Sequence, residues 1–213
     1  MLRKHDIDSI VNELEQVQYK MVVNILGGEP TLHPLLSYVV ERLSSINNVV
    51  IISITTNGIK PVHSISNKLR ITYSVHPSQD NIKDILRCTK ECKADSNIVI
   101  MEHDKLSEDD LNIIKSIGIP FKNALLNLNG NVDWNSNLLV NLDSNPITLK
   151  KLHELTDMNF YGWTCIQSYY RIQNNRAVSC QHCCSIKNMQ PITTICAKNT
   201  CVNDCYIAMM KWK

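Results

Sequence analysis

The residues best suited to chemistry are the nine cysteines. Seven of them, Cys165, Cys180, Cys183, Cys184, Cys196, Cys201 and Cys205, crowd the C-terminal end of the chain. Clustered thiols in a chain without secretory features hold metal more often than they pair as disulfides. Thiolates in this number select zinc or iron–sulfur clusters. Two alternating segments, SYYRI and RAVSC, flank Asn174-Asn175, a dipeptide that tolerates positive φ, so a hairpin is expected among the thiols. Its closure brings Cys165 and Cys180 to the same region. Four of the thiolates would bind zinc tetrahedrally and pin a small, loop-rich tail, and an iron–sulfur cluster also takes four. Both metals stay open at this point. Cys88 and Cys92 lie apart, on a predicted helix, and suit packing or surface thiols.

A second candidate is the turn Gly27-Gly28-Glu29-Pro30. Two glycines let the backbone approach a ligand and expose its N–H groups, while Glu29 adds a carboxylate that can receive an ammonium group. Pro30 stiffens the exit. The same four residues also suit a plain strand-to-helix turn with Glu29 near a helix N-terminus.

Both candidates depend on the elements that carry them. Apolar spacing predicts a helix over 8–17 capped by Asp8 or Ser9, a buried strand at 21–26, and a helix from about His33 to Ile46. Strands follow at 49–56 and 69–75, then a helix over about 80–92 and a strand at 97–102. Ser107 caps a further helix ending near Gly118, and residues 119–126 suggest another strand. Helices alternating with apolar strands imply an α/β fold with a parallel sheet and right-handed crossovers, open or partly closed as a barrel. Ligands bind such sheets at the carboxyl ends of the strands. Gly27-Gly28-Glu29-Pro30, Thr56-Asn57-Gly58 and His76-Pro77 all fall there. Residues 127–160 are Asn-rich with weak periodicity and are expected to form a linker with a short helix around 148–155.

Composition narrows the field. With 22 Lys and Arg against 20 Asp and Glu, the net charge is +2 and no basic block tracks phosphates, which argues against nucleic acid as a partner. No apolar run reaches a membrane span, and Met1 to Asp8 is charged, so a cytoplasmic location is expected. The turn at Gly27 also lacks the Gly-x-Gly-x-x-Gly spacing of a Rossmann nucleotide binder.

The longer string VVNILGGEPTLHPLLSYVVERL, followed by IISITTNG, resembles the radical S-adenosylmethionine (radical SAM) superfamily. The resemblance implies a partial (β/α) barrel over 1–126, a linker over 127–160 and a Cys-rich metal-binding extension over 161–213. It implies that Gly27, Gly28, Glu29 and Pro30 contact SAM, with Thr56 and Asn57 near the cofactor at the next strand end. ITYSVHP resembles a strand in which Ser74 lies close to the ribose or carboxylate of SAM, and His76 would face the substrate side. The tail pattern, Cys165-x9-Asn175-x4-Cys180 followed by Cys196-x4-Cys201-x3-Cys205, resembles the auxiliary-cluster domains called SPASM or, when shortened, twitch. Asn175 stands where Gly is usual, and the later spacing is shorter than the family's. The resemblance implies an auxiliary [4Fe–4S] cluster with Cys165, Cys180 and Cys205 as first choices and Cys183 or Cys184 as fourth. Cys196 and Cys201 complete or replace that set or hold a second cluster, and zinc is the competing metal.

One departure bears on activity. The family's Cys-x3-Cys-x2-Cys loop, which holds the SAM-cleaving cluster, is expected before the first helix, and none of the residues before Asp8 is Cys. A truncated chain, a partner chain supplying the missing strand and cluster loop, or a binding remnant all account for this. A complete relative generates a 5'-deoxyadenosyl radical, draws on an electron donor and modifies a peptide or small molecule. The alternative from another class is a metal-binding scaffold or partner subunit with a degenerate SAM pocket.

Overall fold

Apolar residues three and four apart give way to short apolar runs, and then return, through the first 123 residues of the chain. The computed structural model describes residues 2–63, 66–101, 105–123, 139–142, 145–148, 164–167, 170–179, 183–195 and 210–211. They divide into two units, residues 1–131 and 132–213.

In the first unit, α1 (Lys4–Leu14) precedes β1 (Met21–Ile25), and α2 (Leu36–Ser44) leads to β2 (Val49–Thr56). A link without an α-helix among its described residues leads to β3 (Leu69–Val75), then α3 (Ile82–Glu91), β4 (Asp95–Ile100), α4 (Glu108–Ile117) and β5 (Phe121–Asn123). All four strand pairings are parallel, and the order across the sheet is β1-β2-β3-β4-β5. The expected α/β class with a parallel sheet is therefore what the chain adopts. Each crossover steps one strand in the same direction, and right-handed crossovers of that kind place their helices on one face of the sheet. A doubly wound sheet reverses its order partway and covers both faces; this one does not reverse.

The register separates the two faces. Ile52, Ile54 and Thr56 of β2 align with Leu69, Ile71 and Tyr73 of β3, and Tyr73 and Val75 align with Ile98 and Ile100 of β4. All of these are buried, together with Val11, Val40, Leu43, Ile82, Ile85 and Ile114 from the helices. Strand side chains alternate, so Asn24, Ser53, Thr55, Thr72, Ser74 and Asn97 share the opposite face. Val22, Ile51 and Val99 lie among these polar residues on that face, and Thr72 Oγ1 donates to Asn97 Oδ1 across it at 2.7 Å.

Several boundaries differ from expectation, each for a local reason. The first helix starts at Lys4 instead of Asp8 because Asp6 Oδ2 accepts the Arg3 N–H at 2.9 Å and closes the N-terminus. Asp8 instead sits inside α1, where it accepts from Tyr38 and, at 3.1 Å, from Arg42 Nε, tying α1 to α2. Residues Pro30–Leu32 form a 3-10 turn, which delays α2 to Leu36. A second 3-10 turn at Pro77–Gln79 and a left-handed Asp80 (φ 50°) delay α3 to Ile82. Strand β4 sits two residues earlier than expected. Ser107 caps α4 as anticipated, its hydroxyl accepting from Asp110 N–H at 3.1 Å, and Gly118 ends it with φ 77°.

In the second unit, β6 (Leu139–Leu142) and β7 (Asn145–Thr148) pair antiparallel inside the stretch expected to be linker. The short helix expected near 148–155 lies mostly outside the described residues. Strand β8 (Thr164–Gln167) pairs with β12 (Ile192–Ile195) and β13 (Met210–Lys211). A separate sheet joins β9 (Arg171–Gln173), β10 (Arg176–Val178) and β11 (Cys183–Ser185) in antiparallel order. Asn174 and Asn175 adopt φ of 50° and 55° between β9 and β10. Two successive positive φ values define the tight hairpin turn that matches strand twist.

Candidate functional site

Glu29 organises the carboxyl edge of the sheet. Its Oε1 accepts from Thr31 N–H at 3.0 Å, from Thr31 Oγ1 at 2.6 Å and from Thr56 Oγ1 at 2.6 Å, and its Oε2 accepts from Asn57 N–H at 2.9 Å. The carboxylate thus fastens the turn after β1 to the end of β2. Burial pushes its pKa up, but the donors from Thr31, Thr56 and the Asn57 backbone outweigh burial and hold it below the ordinary 4.5. What remains open to an ammonium group is the second lone pair of Oε2 and the backbone of the turn.

Because the folded pKa is lowered, the carboxylate's contribution is complete above the unfolded value near 4.5 and is lost as pH falls through the folded one. Glu29→Gln sets an amide N–H₂ against N–H or O–H donors, and is expected to cost about 2 kcal/mol at neutral pH. It should also flatten the acid limb of the urea-unfolding stability curve. Equal slopes below pH ~4.5 in both chains would show that this carboxylate does not carry the acid sensitivity.

Gly27 and Gly28 precede this anchor, are exposed, and have no atom of the described residues, their chain neighbours aside, within 4 Å of the position a Cβ would take. Gly27 holds φ of 143°, which disfavours a side chain. Pro30 is buried at the start of the 3-10 turn. Thr56 is 2% exposed, and its Oγ1 is engaged on two sides, donating to Glu29 and accepting from Gly58 N–H at 3.0 Å. It therefore positions the turn instead of presenting a hydroxyl to a ligand. Asn57 is half-buried, its side-chain oxygen accepting from Ile59 N–H at 3.3 Å.

One residue central to this edge escaped the sequence reading. Asn81, 6% exposed, accepts from His76 N–H at 2.9 Å and donates to Asn57 O at 2.9 Å and Ser74 O at 2.8 Å. It stands at the N-cap position of α3 yet makes no capping bond, because its side chain is committed to the ends of β2 and β3. The signal available was an Asn immediately before the helix, which an ordinary cap explains equally well. Through Asn81 and Glu29 the ends of β1, β2 and β3 form one hydrogen-bonded chain. Ser74 lies half-buried on the face it shares with Thr72 and Asn97, and His76 Nδ1 is buried with no hydrogen-bond partner among the described residues. Cys88 is fully buried and donates to Gly58 O at 3.0 Å, a packing role. Burial holds its thiol pKa up.

In the second unit, Cys183 and Cys184 occupy β11, opposite Val178 and Ala177 of β10. Neighbours on a strand point to opposite faces, so a single metal on one side of this sheet takes only one of them from the strand. Burial, then the neighbouring Cys183, raises the Cys184 thiol. Cys165 lies on β8, in a different sheet from the hairpin. Cys180, Cys196, Cys201 and Cys205 lie outside the described residues. No three His, Cys, Asp or Glu side chains converge as a metal group among the described residues. None of the described helices is long and apolar enough to cross a membrane.

Comparison with protein families and with curated proteins gives no match for the chain.

Proposed function

We propose that the chain is a radical SAM-family protein that binds S-adenosylmethionine at the carboxyl edge of its first unit and an auxiliary iron–sulfur cluster in its second. The observation that carries this reading is a singly wound parallel sheet whose first strand ends in an open Gly27-Gly28 backbone, braced by Glu29. Strand order β1-β2-β3-β4-β5 with helices on one face is the arrangement of an unclosed (β/α) barrel, which is the finer fold proposed here. The turn fits the cofactor sterically, since a ligand can approach the glycine backbone without meeting a side chain.

In this reading Gly27, Gly28 and Glu29 hold the amino-acid end of SAM, Asn57 and Ser74 border its remainder, and Thr56, Pro30 and Asn81 keep the edge in place. The face bearing Thr55, Thr72 and Asn97 receives a peptide or small-molecule substrate. Reductive cleavage of SAM is the chemistry that an open-iron cluster and an electron donor supply, and the 213 residues contain no Cys-x3-Cys-x2-Cys to hold that cluster. A preceding segment or a partner chain is then required for catalysis. β1 is suited to pair with it: among the described residues it is the terminal strand of the sheet, with Val22 exposed.

The test is the iron, sulfide and zinc content of the full chain purified without oxygen. About four irons per chain with equal sulfide is the expected result. Zinc without sulfide would make the tail a structural knot and favour a metal-binding scaffold.

A further inference from the structure

Two threonines from different parts of the chain converge on one oxygen of Glu29. Thr31, in the 3-10 turn, and Thr56, at the last position of β2, each donate a hydroxyl to Oε1 at 2.6 Å. With the Thr31 N–H at 3.0 Å, Oε1 takes three of the four donors that the carboxylate receives among the described residues, and Oε2 takes only the Asn57 N–H. A carboxylate offers about four acceptor sites over its two oxygens, so one oxygen is filled and the other keeps room. The backbone N–H groups of Thr31 and Asn57 bind one oxygen each and leave the two equivalent; the hydroxyls break that symmetry. Hydroxyl bonds of this length to an ionised oxygen are among the strong ones. Both donors are held in place, Thr31 at 9% and Thr56 at 2% exposure, and Thr56 Oγ1 is fixed further by the Gly58 N–H at 3.0 Å.

We infer that Thr31 and Thr56 are positioning residues for the cofactor: their hydroxyls fix the Glu29 carboxylate so that Oε2 is the oxygen presented to the ammonium group of SAM. They act in this way only if the Gly27-Gly28-Glu29 turn receives SAM, as proposed for the carboxyl edge. The terminal torsion of a glutamate is broad and roughly two-fold, so a carboxylate without these hydroxyls would divide itself between orientations. Part of the ligand's binding energy would then go into ordering it. The effect is confined to the amino-acid end of SAM. A nucleoside that lacks that end brings no ammonium group to Glu29 and gains nothing from its orientation.

The experiment is calorimetric titration of the full chain, purified without oxygen, with SAM and separately with 5'-methylthioadenosine, which keeps the nucleoside and lacks the amino-acid end. Thr56→Val is close to isosteric and removes one hydroxyl. It should weaken SAM binding about tenfold and change methylthioadenosine binding by less than about twofold. Thr56→Ser restores the hydroxyl and should recover most of the SAM affinity. Thr31→Val keeps the Thr31 N–H bond, removes the other hydroxyl and should show the same selective loss, and it serves where the Thr56→Val chain does not fold. Circular dichroism identifies the folded variants. Failure of the native chain to bind SAM overturns the cofactor reading and this role with it. SAM binding by the native chain that is unchanged in the valine variants, that falls no further than methylthioadenosine binding, or that Thr56→Ser does not recover, overturns the positioning role alone.

Discussion

Gly58→Ala is expected to destabilise the first unit by about 3 to 4 kcal/mol, the largest effect of any single methyl group on this edge. Gly58 adopts φ of 78°, where an L side chain costs roughly 1–2 kcal/mol. An added Cβ would also lie 2.7 Å from Ile85 Cγ1, 3.2 Å from Ile85 Cα and 3.3 Å from its backbone nitrogen. The side-chain atom is able to turn away; the backbone of α3 is not. Overpacking of that kind adds about 1–3 kcal/mol. Thermal unfolding should fall by roughly 10 °C, while Gly28→Ala, with open space around its Cβ, should leave it nearly unchanged. Similar losses in the two variants would mean that Gly58 does not pack on α3 as described.

Asn81→Ala comes next, at about 3 kcal/mol. One buried amide serves three backbone groups, His76 N–H, Asn57 O and Ser74 O, and alanine leaves all three without it. Asn81→Asp separates the components. It keeps the acceptor for His76 N–H but loses both donated bonds and places a charge against two carbonyls, so it should be no better than alanine. Denaturant titrations of the two variants measure this. If Asn81→Asp were as stable as the native chain, the donated bonds to β2 and β3 would carry no weight.

The contrast between these residues shows what the sequence made legible. The strands at 49–56 and 69–75 were readable to the residue, because short apolar runs between polar links leave few alternatives. Ser107 and Gly118 marked the ends of α4, since capping and positive φ have strong residue preferences. Asn174-Asn175 did the same for the hairpin. Gly27-Gly28-Glu29 was legible as a turn at a strand end, but the inward commitment of its carboxylate was not. That commitment depends on Thr56 and Asn57, nearly thirty residues away, meeting it across the sheet. Asn81 was hidden for the same reason, its partners being brought together only by the parallel register. The β6–β7 pair was missed because its Asn-rich segment lacks clear alternation. In the tail, β11 adds a consequence that spacing does not give, namely that adjacent Cys183 and Cys184 face apart.

The central claim, that the Gly27-Gly28-Glu29 turn receives S-adenosylmethionine, is tested most directly by calorimetric titration of SAM into the native and Gly28→Val chains under anaerobic conditions. Valine at position 28 extends into open space, so the two proteins should unfold at closely similar temperatures while the ligand's approach to the backbone is blocked. The account predicts saturable SAM binding by the native chain and at least a tenfold loss, about 1.4 kcal/mol or more, in Gly28→Val. No saturable binding by the native chain, or equal binding by both, would contradict it.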